Sequence, residues 1–286
     1  MNRLGMDHQS IEELLKVMAT QYGYDFHDYA EESLRRRIAL HMEWHQFTTV
    51  EELISAIHSD NKAFANLLRG LSVPVTEMFR DAGFFRYLRE QVIPWLATFP
   101  FIRIWHAGCA TGEEAWSMAI LLDQAGLLDR CQIYATDYNE DALDIARSGV
   151  YKTSLLKTWQ ENFQDCGGRG QIADYYLQKY NSGRMSRELQ QHIVFANHNL
   201  VTDGVFGEMH LILCRNVLIY FKQPLQNRVL SLLRDSLRPQ GVLCLGTGES
   251  LSLSAVADHF HACSLKWRVY RRKQGCPHFQ GGGVNE

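Results

Sequence analysis

Ile104-Trp105-His106-Ala107-Gly108-Cys109-Ala110-Thr111-Gly112-Glu113-Glu114 is the stretch from which the rest of this chain is read. A β-branched apolar run from Ile102 to Trp105 stops at two glycines, and Ala115, Met118, Ala119 and Leu122 then follow at helical spacing. This reads as a strand, a tight glycine turn and a helix N-terminus, the arrangement in which backbone N–H groups face a nucleotide-like ligand. Glycine is needed where a Cβ would strike the ligand or block the turn's backbone angles. Further on, a second apolar run, Ile133-Tyr134-Ala135-Thr136, ends on Asp137. A carboxylate at the tip of the second strand is where α/β nucleotide folds hold ribose hydroxyls. The spacing is G-x-x-x-G rather than the G-x-G-x-x-G of a dinucleotide site. Two glutamates at the helix start suit its macrodipole but would repel a pyrophosphate. They fit a ligand carrying positive charge, such as a sulfonium and an α-ammonium. The turn alone is equally a glycine-rich connection with no ligand; with Asp137 the reading moves to an adenosyl ligand.

The chain has 286 residues, 46% hydrophobic and 11% aromatic, enough for one good core and a smaller second one. A net charge of −3 gives no global basic field for nucleic acid or an anionic membrane. No apolar run approaches the ~20 residues of a membrane helix. The opening MNRLGMDHQS lacks the apolar core of a signal peptide, so a cytoplasmic protein without membrane insertion is expected. Seven scattered cysteines without C-x-x-C spacing point to reduced thiols, and the twelve histidines lack the H-E-x-x-H spacing of a zinc helix. No metal is expected.

Residues 10 to about 70 carry helical patterns only. Ser10-Ile11-Glu12-Glu13 and Thr49-Val50-Glu51-Glu52 read as capping boxes, and Leu34, Ile38 and Met42 share a helix face. This is a module of about four helices. Pro74 marks a break near the boundary. We divide the chain into a helical domain (1–72), a linker (73–90), a second domain (91–274) and a glycine-rich tail (275–286) expected to be disordered. The second domain alternates strands, read at 102–106, 132–137, 193–197, 210–214, 242–247 and 267–272, with helices near 113–125, 139–148 and 223–237. Such alternation means a largely parallel sheet covered on both faces. Residues 174–189 break the rhythm as a hairpin with a glycine turn at Asn181-Ser182-Gly183.

Several motifs stand in one order: Thr76-x-x-Phe79-Arg80-Asp81, the glycine turn with Glu113-Glu114, Ala135-Thr136-Asp137, Ser148-Gly149-Val150-Tyr151, His198-Asn199-Leu200, and Cys214-Arg215-Asn216-Val217-Leu218-Ile219-Tyr220-Phe221. The series resembles the CheR family of chemotaxis receptor methyltransferases, from about residue 8 to 273. The resemblance implies an α/β fold: a Rossmann-like S-adenosylmethionine methyltransferase sheet with an inserted small antiparallel β-subdomain, preceded by a small all-helical domain. It implies cofactor contacts from Thr76, Arg80, Gly108, Ala110, Glu114, Asp137, Asn199, Leu200, Arg215 and Asn216, with Tyr220 beside the methyl group. Pro74 stands where the family often has an asparagine, so any contact from that side chain is lost. Trp116 is a second departure, standing where the family commonly has a proline.

The implied reaction moves a methyl from S-adenosylmethionine to receptor glutamate carboxylates, giving methyl esters and S-adenosylhomocysteine. A carboxylate with a pKa near ~4.3 is already a nucleophile at neutral pH, so no general base is required. Arg80 is assigned to steer the substrate carboxylate and Tyr220 to orient it, both as catalytic residues. Plainer roles exist for each. Arg80 could pair with Asp81 or Glu77 on a surface, Asp137 could cap the next helix, and Tyr220 could be a core aromatic. The run Arg35-Arg36-Arg37 is either a solvated helix face or, as the resemblance implies, the surface that meets the receptor's cytoplasmic helical bundle. The 174–189 hairpin could add a strand from a receptor C-terminal peptide. A monomer acting on protein is expected; a methyltransferase with another acceptor, or a cofactor sensor without transfer, are the alternatives.

Overall fold

The computed structural model describes residues 6–71 and 76–274, so the Pro74 departure and the expected disorder of the tail lie outside the described residues. Four helices open the chain: α1 (His8–Tyr22), α2 (Glu31–His45), α3 (Val50–Ser59) and α4 (Asn61–Leu71). Their apolar stripes, among them Leu14, Met18, Ile38, Met42, Leu53 and Leu67, close on one another. Thr49 caps α3 as expected, accepting the Glu52 N–H at 3.3 Å. The cap of α1 is Asp7 rather than Ser10: Asp7 accepts the Ser10 N–H at 2.7 Å, and the Ser10 hydroxyl turns to Glu51.

Next come α5 (Ala82–Tyr87), a π turn (Leu88–Val92) and α6 (Ile93–Leu96). Pro94 has no N–H to continue an α ladder, and just before it the Ile93 N–H reaches back to Leu88. Then follow β1 (Ile102–Ala107), α7 (Glu113–Gln124), β2 (Cys131–Asp137), α8 (Glu140–Ser148), β3 (Val150–Lys152), α9 (Leu156–Asp165), β4 (Tyr176–Lys179), β5 (Ser182–Met185), α10 (Arg187–Gln190) and β6 (Ile193–Asn197). The chain ends through β7 (Met209–Cys214), α11 (Gln223–Ser236), β8 (Leu237–Leu245), β9 (Phe260–Ser264) and β10 (Val269–Arg272).

Seven strands form one sheet in the order β6-β2-β1-β7-β8-β10-β9. The first five run parallel, and β10 and β9 are antiparallel. From β1 the chain winds outward to β2 and β6, then returns to the other side for β7 and β8. The carboxyl ends of β1 and β7 are therefore the topological switch point, where such sheets bind ligands. Two apolar clusters cover the sheet, one around α7 and one around α11. Ala115 to Leu122 of α7 are all buried, which is why its sequence is apolar all round.

A second, antiparallel sheet, β3-β5-β4, is inserted between α8 and β6. The 174–189 hairpin is present, but its turn is made by Tyr180 and Asn181, with Tyr180 at φ 56°. Gly183 lies inside β5, because a Cβ there would come within 2.1 Å of the Tyr176 ring. Among the described residues no helix is long and apolar enough to cross a membrane.

The helical domain packs on the sheet domain through backbone as well as side chains. The Ala30 N–H donates to the Tyr220 carbonyl at 2.8 Å, and the Lys222 N–H to the Asp28 carbonyl at 2.7 Å. Tyr29 meets Phe221 edge-on at 4.9 Å, and Arg69 of α4 pairs with Asp141 of α8 at 2.8 Å.

Candidate active site

The glycine turn leaves β1 at Gly108, φ 77°, where a Cβ would lie 2.6 Å from Val217. Gly112, φ 91°, presses against Ala146 of α8. Between them Ala110 holds a left-handed φ of 49°. Asp137 explains how: one carboxylate oxygen accepts the Ala110 N–H and the other the Asn139 N–H, both at 2.9 Å. Asn139, not Asp137, caps α8. Burial raises the Asp137 pKa, and its backbone donors only partly offset this. Tyr151 of the Ser148–Tyr151 motif braces the turn from below, its hydroxyl donating to the Thr111 carbonyl at 2.6 Å.

The two glutamates at the start of α7 differ. Glu113 is buried against the Thr111 hydroxyl at 2.6 Å, and burial lifts its pKa to about 7. Glu114 faces the sheet ends. Burial would raise it too, but a hydrogen bond from His106 at 2.9 Å and the Arg215 guanidinium at 2.8 Å hold it down to about 2. Arg215 also reaches Asp81 at 2.5 Å and lies over the Phe84 ring at 4.0 Å. Asp81 therefore pairs with Arg215 across the fold. His106, Glu114, Arg215 and Asp81 form one chain of charge that ties β1, α7, the end of β7 and the segment before α5 together.

Beyond Arg215 the turn after β7 has Asn216 at φ 61°. A residue the motifs did not single out holds it. Glu249, 4% exposed, accepts four backbone N–H groups, from Asn216 at 3.0 Å, Val217 at 2.8 Å, Leu218 at 2.7 Å and Gly246 at 2.5 Å. Burial keeps its carboxyl above the ordinary value even so.

These elements enclose a cleft with two arms. One, with a cavity volume of about 100 Å³, is mostly apolar and runs past Asp137, Tyr138, Ala142 and His198 to Val201, under Tyr29, Ala30, Leu34 and Arg37 of the helical domain. The polar arm holds Thr76, Arg80, Cys109, Glu114, Arg215 and Ile219. Gly108, Ala110, Asn216 and Tyr220 line both. All eleven residues expected at the cofactor or the reacting centre thus come together: Thr76, Arg80, Gly108, Ala110, Glu114, Asp137, Asn199, Leu200, Arg215, Asn216 and Tyr220.

The arginine run does not act as one surface. Arg37 turns into the cleft, over the Tyr220 ring at 5.2 Å and bonded to the Leu71 carbonyl at 2.9 Å. Arg35 pairs with Glu31 and the Met6 carbonyl, each at 2.9 Å. Arg36 is exposed. A helix turns about 100° per residue, so three neighbours cannot share a face. The roof of the cleft from Tyr29 to Leu34, His106 and Glu249 were not foreseen.

Residues 74–269 match the family model described as CheR methyltransferase, SAM binding domain, and residues 9–72 the model described as CheR methyltransferase, all-alpha domain. The chain belongs to the CheR methyltransferase family. It is 42% identical to the "Putative methyltransferase Cher3" of Pseudomonas putida, over 91% of this chain and 95% of that one. A "Chemotaxis protein methyltransferase" of Listeria innocua is 28% identical, covering 82% and 88%. That of Salmonella typhimurium is 32% identical over 67% of this chain and 64% of its own.

A CheR methyltransferase uses S-adenosylmethionine, and the cleft fits it. The apolar arm with Asp137 at its edge suits an adenosine, while Glu114 puts a carboxylate in the polar arm, where a cationic group would lie. Arg215 keeps a buried Nε without a partner among the described residues, a donor available to an amino-acid carboxylate. Among those residues no cluster of His, Cys, Asp or Glu could hold a metal ion. Cys109 is a filler here: burial pushes its thiol well above its usual range.

Proposed function

We propose that this methyltransferase modifies glutamate side-chain carboxylates of methyl-accepting chemotaxis receptors and serves adaptation in a chemotaxis or chemotaxis-like pathway. One observation carries the choice of a carboxylate. Among the described residues the polar arm offers no carboxylate or thiol base: Glu114 is committed to His106 and Arg215 with its pKa held at about 2, and the Cys109 thiol is pushed up. An amine or hydroxyl acceptor would need its proton taken; a carboxylate arrives ready. S-adenosylmethionine, when bound, supplies a sulfonium methyl that passes to a carboxylate oxygen as the carbon–sulfur bond breaks, leaving a methyl ester and S-adenosylhomocysteine, with no proton moved.

In this reading the protein works by alignment, which supplies up to ~7–11 kcal/mol in favourable cases. Arg80 receives the acceptor carboxylate through charge-assisted hydrogen bonds. Tyr220, at the junction of the arms, orients it. Asp137 faces the ribose hydroxyls, while Asn199 and Leu200 flank the base. Thr76, Glu114, Arg215 and Asn216 surround the amino-acid end. Opposite charges cancel as the methyl moves, so the roof formed by the helical domain helps by excluding water. The exposed side of α2 with Arg36 meets the receptor's helical bundle, and the β3-β5-β4 sheet is where a receptor C-terminal peptide would add a strand. Labelled S-adenosylmethionine and a chemoreceptor signalling domain, with its glutamates intact or changed to alanine, test this. Base-labile label that disappears with the glutamates supports it. Tight S-adenosylhomocysteine binding with no transfer would favour another acceptor or a sensor.

A further inference from the structure

We infer that Glu249 is a positioning residue for methyl transfer, acting through the Asn216–Tyr220 turn without lining the cleft itself. Its two oxygens take two N–H groups each: Val217 and Leu218 on one, Asn216 and Gly246 on the other. These donors come from the ends of β7 and β8, so one side chain sets how the two strand ends meet. Three of them are successive amides at the start of the Leu218–Tyr220 3-10 turn, a nest that binds an anion.

The nest controls three features of the site. It holds Asn216 at φ 61°, a left-handed backbone that asparagine tolerates better than most non-glycine residues, and Asn216 borders both arms. It sets Val217, whose side chain fills the space a Cβ on Gly108 would take. It starts the turn that presents Tyr220, whose carbonyl is held from the opposite side by Ala30. Gly246 completes the device: a Cβ there would lie 2.7 Å from both the Asn216 nitrogen and a Glu249 oxygen.

A glutamine at 249 has nearly the same shape but places an NH₂ against two N–H donors. Glu249→Gln is predicted to expose the amides of 216–218 to hydrogen exchange about a hundredfold faster than wild type. Its kcat for a chemoreceptor signalling domain should fall about a hundredfold, the scale of a small misplacement at a reacting centre, while the Kd for S-adenosylhomocysteine stays within about fivefold. A merely structural role would lower the folded fraction and leave kcat per folded molecule intact. Gly246→Ala crowds the same nest from β8 and should give the same pair of changes, so a variant lost to misfolding does not remove the test. Exchange at 216–218 unchanged in folded variant, or kcat within about threefold of wild type, overturns the inference. An inactive wild type would count against the receptor reading instead, and the exchange measurement would still decide Glu249.

Discussion

Glu114→Gln perturbs the charge chain at its centre. Glu114 goes from an ordinary pKa of 4.5 to about 2 in the fold. At 1.36 kcal/mol per pH unit, that gap is worth about 3 kcal/mol of folding stability at pH 7. The figure is a ceiling, because a glutamine oxygen can still accept from Arg215. It agrees with the ~3–5 kcal/mol lost when one partner leaves a buried ion pair. The sign fixes the pH dependence. A depressed carboxyl stabilises fully above its unfolded pKa, and the contribution is lost as pH falls through the folded one. The wild-type advantage should therefore be about 3 kcal/mol at pH 7 and about 2 kcal/mol at pH 3.5, vanishing toward pH 2. Urea unfolding of both proteins at those pH values, at constant ionic strength, measures it. A difference that does not change between pH 7 and pH 3.5, or one below about 1 kcal/mol at pH 7, would refute the reasoning.

Three substitutions divide the cleft by role. Asp137→Ala frees the Ala110 N–H as well as the strand tip, and S-adenosylhomocysteine affinity by calorimetry should drop at least about tenfold; unchanged affinity would remove Asp137 from the ribose. Arg80→Ala should cut methyl transfer by about a hundredfold with cofactor affinity within about threefold, and equal losses in both would place Arg80 at the cofactor only. Arg36→Glu should raise the receptor's KM about fivefold and spare kcat, whereas Arg37→Glu, against Tyr220, should lower kcat too. Normal receptor kinetics for Arg36→Glu would make that face of α2 plain surface.

What the sequence made readable was local. The strand, turn and helix from Ile102 to Gln124 were legible because their periods differ and glycines separate them. Trp159 and Phe163, one turn apart, are the only buried residues of α9, too short a stripe to mark a helix by itself. The rest depended on contacts between distant segments. Ala30 and Tyr220 meet only because the α1–α2 connection crosses the sheet's carboxyl edge, and neither residue type announces that. Glu249 sits in a loop of serine, threonine and glycine, where a carboxylate reads as solvated; its burial comes from the pairing of β7 with β8. His106 looks like any histidine in an apolar strand until α7 places Glu114 beside it. The arginine run could not be resolved into its separate directions from sequence, because Arg35 and Arg37 find different partners, and Arg36 stays exposed, only once α2 is packed.

Backbone strain ties these unforeseen residues to the site. Among the described non-glycine residues, eight have a left-handed φ; Phe79, Asp81, Ala110 and Asn216 stand in the segments that build the cleft. Each is pinned by a polar partner from another element: the Phe79 N–H by the Ser117 hydroxyl at 2.9 Å, Asp81 by Arg215, Ala110 by Asp137 and Asn216 by Glu249. At ~1–3 kcal/mol apiece the four conformations would relax if those partners were removed. The cleft's shape is therefore set by hydrogen bonds within the protein before any ligand enters, and ordering costs that a looser loop would charge against binding are already met in folding. The same arrangement explains why half-buried Asp137 and buried Glu249 have no cationic partner among their hydrogen bonds to described residues. Their charge is matched by amides held at the angles the site requires, so a neutral replacement would release the backbone together with the side chain.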